Sequence, residues 1–336
     1  VGIGISSPTQ KLDVAGTALV ENAKLKAIAE SNTDTAVDVF VYDTRKDSDG
    51  GAWRKRTQNT SWYNEALNTS TRGARKEFPS VAVIVAETQE VTIYDGDDPD
   101  MPMWMVFEAT NGHWATKAMG GGTTVSSVKA LNGTIALGNS GYGLTLNNFI
   151  SERSSFQENG YNRLKYGGLV ARNGGMTVSG ELGADNTSSL HMGELVNDGV
   201  YDVDLMARKN APIDPFTGLP ALTIAVGTYQ GINIFKDDAT RITRLKAETA
   251  NHVYKIMFDG DDHYVYVEYH SSSGHASAIR RADLNETGNL GGVHHETPDR
   301  YFSNYDWAVY NHSSYGHDET AAGYGAAIAS TNDLFL

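Results

Sequence analysis

The chain has 336 residues, 40% of them hydrophobic, enough to bury a sizeable core and to exclude disorder as a description of the whole. A formal net charge of −14 repels phosphate backbones and anionic lipid, so neither nucleic acid nor a membrane surface is an expected partner. With no cysteine there is no disulfide framework or thiolate zinc site, and no apolar run reaches the length of a transmembrane helix. Glycine is abundant at 35 residues against eight prolines, which suits many short strands joined by tight turns, and the predicted class is all-β.

The opening, Val1 to Gly16, alternates apolar and small residues, breaks at Ser7-Pro8 and resumes as a short strand at Leu12 and Val14. So short a segment makes no core alone, and intertwined copies would bury Val1, Ile3, Ile5, Leu12 and Val14 economically. Its V-G-I-G-x-x-S-P-x-x-K-L-x-V pattern resembles segments of bacteriophage tail fibres and related trimeric appendages. The resemblance implies a homotrimer at the virion tail surface, bound to other virion tail proteins and to a host polysaccharide or receptor. Residues 1–18 are read as an oligomerising strand segment and 19–35 as a linker or short helix, since Leu19 to Glu30 has helical spacing. Beginning at Val1 and ending on the strand-like Asn332 to Leu336, the sequence reads as a piece of a longer protein.

From Ala36 the texture changes to strands: VDVFVYDT, VAVIVAET, EVTIYDG and MWMVFEA. The run Tyr42 to Thr57, with Thr60 to Glu65 and Arg75 to Pro79, resembles segments of marine-phage structural proteins. Within it, Asp47-Ser48-Asp49-Gly50-Gly51-Ala52-Trp53 resembles the Asp-box of sialidase-like propellers, one residue short and with Asp47 in the serine position. An Asp-box is a turn device in which a carboxylate caps N–H groups and a tryptophan packs between strands, so the structural reading is preferred to a catalytic one.

Asp95, Asp97, Asp98 and Asp100 crowd one loop and offer oxygens to a calcium ion. Proline at the fifth position and no glycine at the sixth break the helical calcium-loop pattern, and a solvated Asp-Gly turn is the plainer reading. The expected cofactor is none, with calcium as the minor alternative.

Three internal matches suggest a repeat of about 42 residues. His270-Ser271-Ser272-Ser273-Gly274-His275 recurs as His312-Ser313-Ser314-Tyr315-Gly316-His317, Asp95-Gly96-Asp97-Asp98 as Asp259-Gly260-Asp261-Asp262, and Ile135-Ala136-Leu137-Gly138 as Ile224-Ala225-Val226-Gly227. The spacing predicts a β-propeller over 36–336, of about seven blades, with Leu222 to Phe235 as an inner hairpin. Repeated histidines at the turns read as solvated or capping groups before metal ligands, for no His-x-His strand motif accompanies them.

Tyr301, Tyr305, Trp307, Tyr310 and Tyr315 form the densest aromatic group and are the candidate glycan-stacking residues, against the alternative of packing between blades. No nucleophile elbow, phosphate loop, zinc helix or dinucleotide fingerprint occurs, and the chain is not expected to be an enzyme. The leading reading is a structural virion component for assembly or host attachment. The alternative is a secreted carbohydrate-binding or glycoside-hydrolysing propeller, whose two carboxylates would come from distant strands and leave no local motif.

Overall fold

The computed structural model describes residues 2–3, 13–14, 35–108, 118–119, 124–159, 161–178, 195–238, 241–245, 251–270, 276–284 and 289–290. The described residues are all-β: twenty strands, three short 3-10 turns and no α-helix. In the opening segment β1 (Gly2–Ile3) and β2 (Asp13–Val14) pair with each other in parallel, placing Ile3 beside Val14. Val1, Ile5, Leu12 and the helix expected between Leu19 and Glu30 lie outside the described residues.

Four larger sheets follow in chain order. The first joins β3 (Asp38–Asp43), β4 (Val81–Ala86), β5 (Glu90–Asp95) and β6 (Met103–Glu108) in one antiparallel meander, which accounts for all four strands read from the sequence. The second comprises β7 (Val125–Leu131), β8 (Thr134–Asn139), β9 (Gly143–Asn148), β10 (Ser154–Glu158), β11 (Tyr161–Tyr166) and β12 (Thr177–Val178). In the third, β13 (Val200–Met206), β14 (Thr223–Thr228), β15 (Gly231–Phe235) and β16 (Arg241–Leu245) are antiparallel neighbours. The fourth has β17 (Asn251–Phe258), β18 (His263–His270) and β19 (Ala276–Asp283). Strand β20 (Asn289–Leu290) lies parallel to β16.

Each sheet packs against the next mainly through its first strand: β3 on β7, β7 on β13, β13 on β17. One position in each first strand makes the join. The Asp38 carboxylate accepts the Val128 amide N–H at 2.9 Å, the Ser127 hydroxyl oxygen that of Val203 at 3.3 Å, and the Asp202 carboxylate that of Ile256 at 3.1 Å. A first strand has one edge without a ladder partner in its own sheet, and these side chains supply acceptors for donors along it. Ser127 also donates to Asp202 at 2.9 Å, and Lys255, the corresponding residue of β17, donates to the same carboxylate oxygen at 3.3 Å.

The Ile-Ala-x-Gly match acquires a physical meaning from this packing. Its two copies lie in β8 and β14, the second strands of adjacent sheets. A Cβ on Gly138 would stand 2.7 Å from Cγ1 of Val200, and one on Gly227 would stand 2.7 Å from the carbonyl oxygen of Val253. Val200 and Val253 each mark a register shift near the start of a first strand, so glycine admits the incoming strand at matching places in both joins.

The other repeats require correction. The Asp95 turn joins the third and fourth strands of its sheet, whereas the Asp259 turn joins the first and second of its own. They are not equivalent places. First strands start at Asp38, Val125, Val200 and Asn251, intervals of 87, 75 and 51 residues in place of a period near 42. The Leu222 to Phe235 hairpin forms, but as the second and third strands of its sheet, outside β13. His312 to His317 lies outside the described residues.

The long connection from Thr44 to Ser80 explains the uneven spacing. It carries Trp53, Trp62 and Phe78 into the space between the first two sheets, where all three are buried with Trp104, Phe107 and Phe149. Phe78 meets Trp104 and Phe149 edge-on at 4.8 and 4.9 Å, and Trp62 donates its indole N–H to the Phe149 carbonyl at 2.8 Å. The connection from Thr44 to Ser80 is therefore a packing wedge between the first two sheets.

Candidate functional site

At their C-terminal ends the four first strands surround a cavity of about 460 Å³, within the range of roughly 300–1,000 Å³ that small-molecule sites occupy. Phe40 to Asp43 of β3, Lys129 to Leu131 of β7, Asp204 to Met206 of β13 and Phe258 of β17 form its wall. The register that places Asp38, Ser127 and Asp202 at the joins sets Phe40, Lys129 and Asp204 two residues further on, each on the same face of its strand. Lys129 places its ammonium 5.2 Å from the centre of the Phe40 ring.

Asp204 is half-buried and its carboxylate accepts the Phe258 amide at 2.9 Å. Burial pushes its pKa up to about 6, with the charge of Asp202 adding to the rise and Lys129 and the Phe258 and Leu205 amides opposing it. The folded chain therefore holds this proton more tightly than an unfolded one, whose ordinary value lies near 3.9. This contribution to stability is fully present below about pH 4 and is lost as pH rises through about 6. Asp204→Asn is expected to remove a decline on the order of 2–3 kcal/mol, seen by comparing urea unfolding of the two proteins at pH 4 and pH 7. Parallel pH profiles would refute the assignment.

The remaining carboxylates of the wall are engaged. Although burial raises the pKa of Asp43, the Arg45 guanidinium, bound at 2.7 and 2.9 Å, and the Arg45 amide hold it below its ordinary value. Asp47 is buried and accepts from the Tyr42 hydroxyl at 2.6 Å, the Trp53 indole at 2.7 Å and the Asn132 amide at 2.8 Å. Burial pushes its pKa up despite these donors. The Asp-box-like segment thus ties the first sheet to the β7–β8 turn. Lys46, exposed, stands at the rim. This wall sets hydrogen-bond donors and acceptors beside aromatic and aliphatic surface.

Two carboxylates of the acidic loop, read from sequence as solvated, are instead held by an arginine. Arg75 donates to both oxygens of Asp95 at 2.9 and 2.8 Å and to Asp97 at 2.8 Å. Asp97 also accepts from the Ser80 hydroxyl, the Ser80 amide and, at 3.0 Å, the Val81 amide; together with Arg75 these hold its pKa down against the rise that burial causes. Asp98 and Asp100 are exposed, and Asp98 accepts the Asp100 amide. Among the described residues no three His, Asp or Glu side chains are placed to share a metal ion.

Tyr301, Tyr305, Trp307, Tyr310 and Tyr315 lie outside the described residues. An aromatic group that sequence reading did not single out stands at the opposite, N-terminal ends of β13 and β17. His252 stacks on Tyr254 at 5.3 Å, meets Tyr229 edge-on at 4.4 Å and lies 3.1 Å from the Tyr201 hydroxyl through Nδ1. The cavity residues were also missed, for they come from four separated strands. Their local signal is Asp202 and Asp204 in VYDVDLM, two carboxylates on one face of a strand otherwise suited to burial.

No family model matches the chain, and no curated protein matches it. Among solved structures, one chain of the crystal structure of BBS1N in complex with ARL6DN, soaked with lead, is similar at 12% identity over 77% of this chain and 82% of that chain. The TM-score is 0.27, and a superposition that loose carries no argument about fold or function.

Proposed function

We propose that the chain is a structural component of a bacteriophage virion appendage, in which a β-propeller body serves assembly or attachment to the host surface. The observation that supports the body most directly is the gathering of four first strands around one cavity, each sheet joined to the next by the same side-chain-to-amide bond. Radially repeated meander sheets make a propeller, in which the first strand of each blade lines the axis. The opening V-G-I-G-x-x-S-P-x-x-K-L-x-V pattern supports the virion setting and a trimer of such bodies. Several weak contacts on one particle would then act together, each after the first being intramolecular.

A second reading, a secreted carbohydrate-binding or glycoside-hydrolysing propeller, draws on the cavity itself, where Asp204 carries a raised pKa beside aromatic wall residues. The mass of the protein in solution separates the two. The virion reading expects a trimer that dissociates when Val1 to Gly16 is removed; a monomer in both cases would sink the oligomerising role and favour the second reading.

A further inference from the structure

We infer that the cavity among the first strands binds an uncharged sugar ring, with Lys129 and Asp204 as its hydrogen-bonding pair and Phe40 as its apolar wall. The inference concerns the cavity alone and holds for a virion protein and a secreted one alike.

Charge balance narrows the ligand class. Three carboxylates, Asp43, Asp47 and Asp204, are set against three cations, Arg45, Lys46 and Lys129, in and beside the wall. A ligand of either net charge would enter a site with no excess of the opposite sign, and its desolvation would go uncompensated. Asp43 is clasped by Arg45, and both oxygens of Asp47 face inward to Tyr42, Trp53 and Asn132. Lys129 and Asp204 remain as the contrasting pair on adjacent strands. Among the described residues Lys129 has no carboxylate within ion-pairing distance, although it lies near enough to Asp204 to lower that group's pKa.

An ammonium donates only and a carboxylate accepts only, so a group that both accepts from Lys129 and donates to Asp204 completes the site. A hydroxyl does both. Vicinal hydroxyls on a ring whose C–H face is apolar match the neighbouring Phe40, Leu205 and Met206, and the volume of about 460 Å³ admits such a unit with part of the next.

The intact chain is to be titrated calorimetrically with maltotriose, xylotriose and N,N′,N″-triacetylchitotriose, with trigalacturonate as the anionic comparison. Saturable binding of at least one neutral trimer is expected, weakened about tenfold by Lys129→Met and by Asp204→Asn. The exposed Lys46→Ala variant should also bind more weakly, and folding of all three is checked by circular dichroism. Lys46 is exposed and lines the cavity at its rim, so that variant keeps the test decisive if either other substitution disturbs folding. Failure to bind any neutral trimer, equal affinity in the folded variants, or binding of trigalacturonate alone would overturn the inference.

Discussion

Asp47→Ala is expected to lower the unfolding free energy by about 3 kcal/mol or more, because it removes one carboxylate and strands three buried donors at once. Tyr42 and Trp53 share one of its oxygens at 2.6 and 2.7 Å, and the Asn132 amide takes the other at 2.8 Å. All four residues are buried. An orphaned buried donor costs roughly 1–3 kcal/mol, so the simple sum would be larger. Part of it is returned, since burial already raises the pKa of Asp47 and removing the charge relieves that desolvation. Asp47→Asn should fall between the two proteins: its amide oxygen can serve one set of donors, but its NH2 then faces the other. Urea unfolding followed by tryptophan fluorescence reads this directly, and an Asp47→Ala midpoint equal to that of the parent would show that the segment does not tie the first sheet to the second.

Gly227→Val should cost a comparable amount, about 3 kcal/mol, by overpacking at the join between the third and fourth sheets. The first added carbon would stand 2.7 Å from the Val253 carbonyl oxygen and 3.0 Å from its Cγ1. A carbonyl held in a strand cannot rotate aside as a side-chain tip can, so β17 must retreat. Gly50→Ala is the informative comparison: its φ of +66° is strained for an L residue, yet nothing lies within 4 Å of the new carbon. That variant should lose only about 1–2 kcal/mol. The same denaturant series compares them; Gly227 has ordinary strand backbone, so a Gly227→Val loss no larger than that of Gly50→Ala would show that close approach of β17 does not fix glycine at 227.

Strand composition made the first sheet legible, because VDVFVYDT, VAVIVAET, EVTIYDG and MWMVFEA are dominated by β-branched, aromatic and other apolar residues that suit half-buried pleats. The Ile-Ala-x-Gly match was also sound as an observation, though it marks neighbouring sheets and not sheets two units apart. Its period was misread because connection lengths differ widely. Residues 44–80 lie between β3 and β4 to deliver three large aromatics, whereas residues 259–262 suffice between β17 and β18. A turn such as Asp-Gly-Asp-Asp recurs wherever a hairpin needs one, so it carries no information about strand order. In the acidic loop the missing knowledge was tertiary: Arg75, twenty residues before Asp95, supplies the positive charge that the local sequence left open. The cavity was illegible for a related reason, since Phe40, Lys129, Asp204 and Phe258 become neighbours only when successive sheets align their first strands.

The joins made by Asp38, Ser127 and Asp202 have a mechanical consequence. Within a sheet, strands are held by ladders of main-chain bonds, while the polar ties between first strands are a few side-chain bonds beside apolar contacts. Pulling on the chain ends would therefore strip sheets away one after another instead of rupturing the body at once. Because first strands recur after 87, 75 and 51 residues, the slack released would come in unequal lengths of roughly 300, 260 and 180 Å at about 3.5 Å per residue. A body built this way yields to load in graded steps, each one leaving the sheets behind it folded.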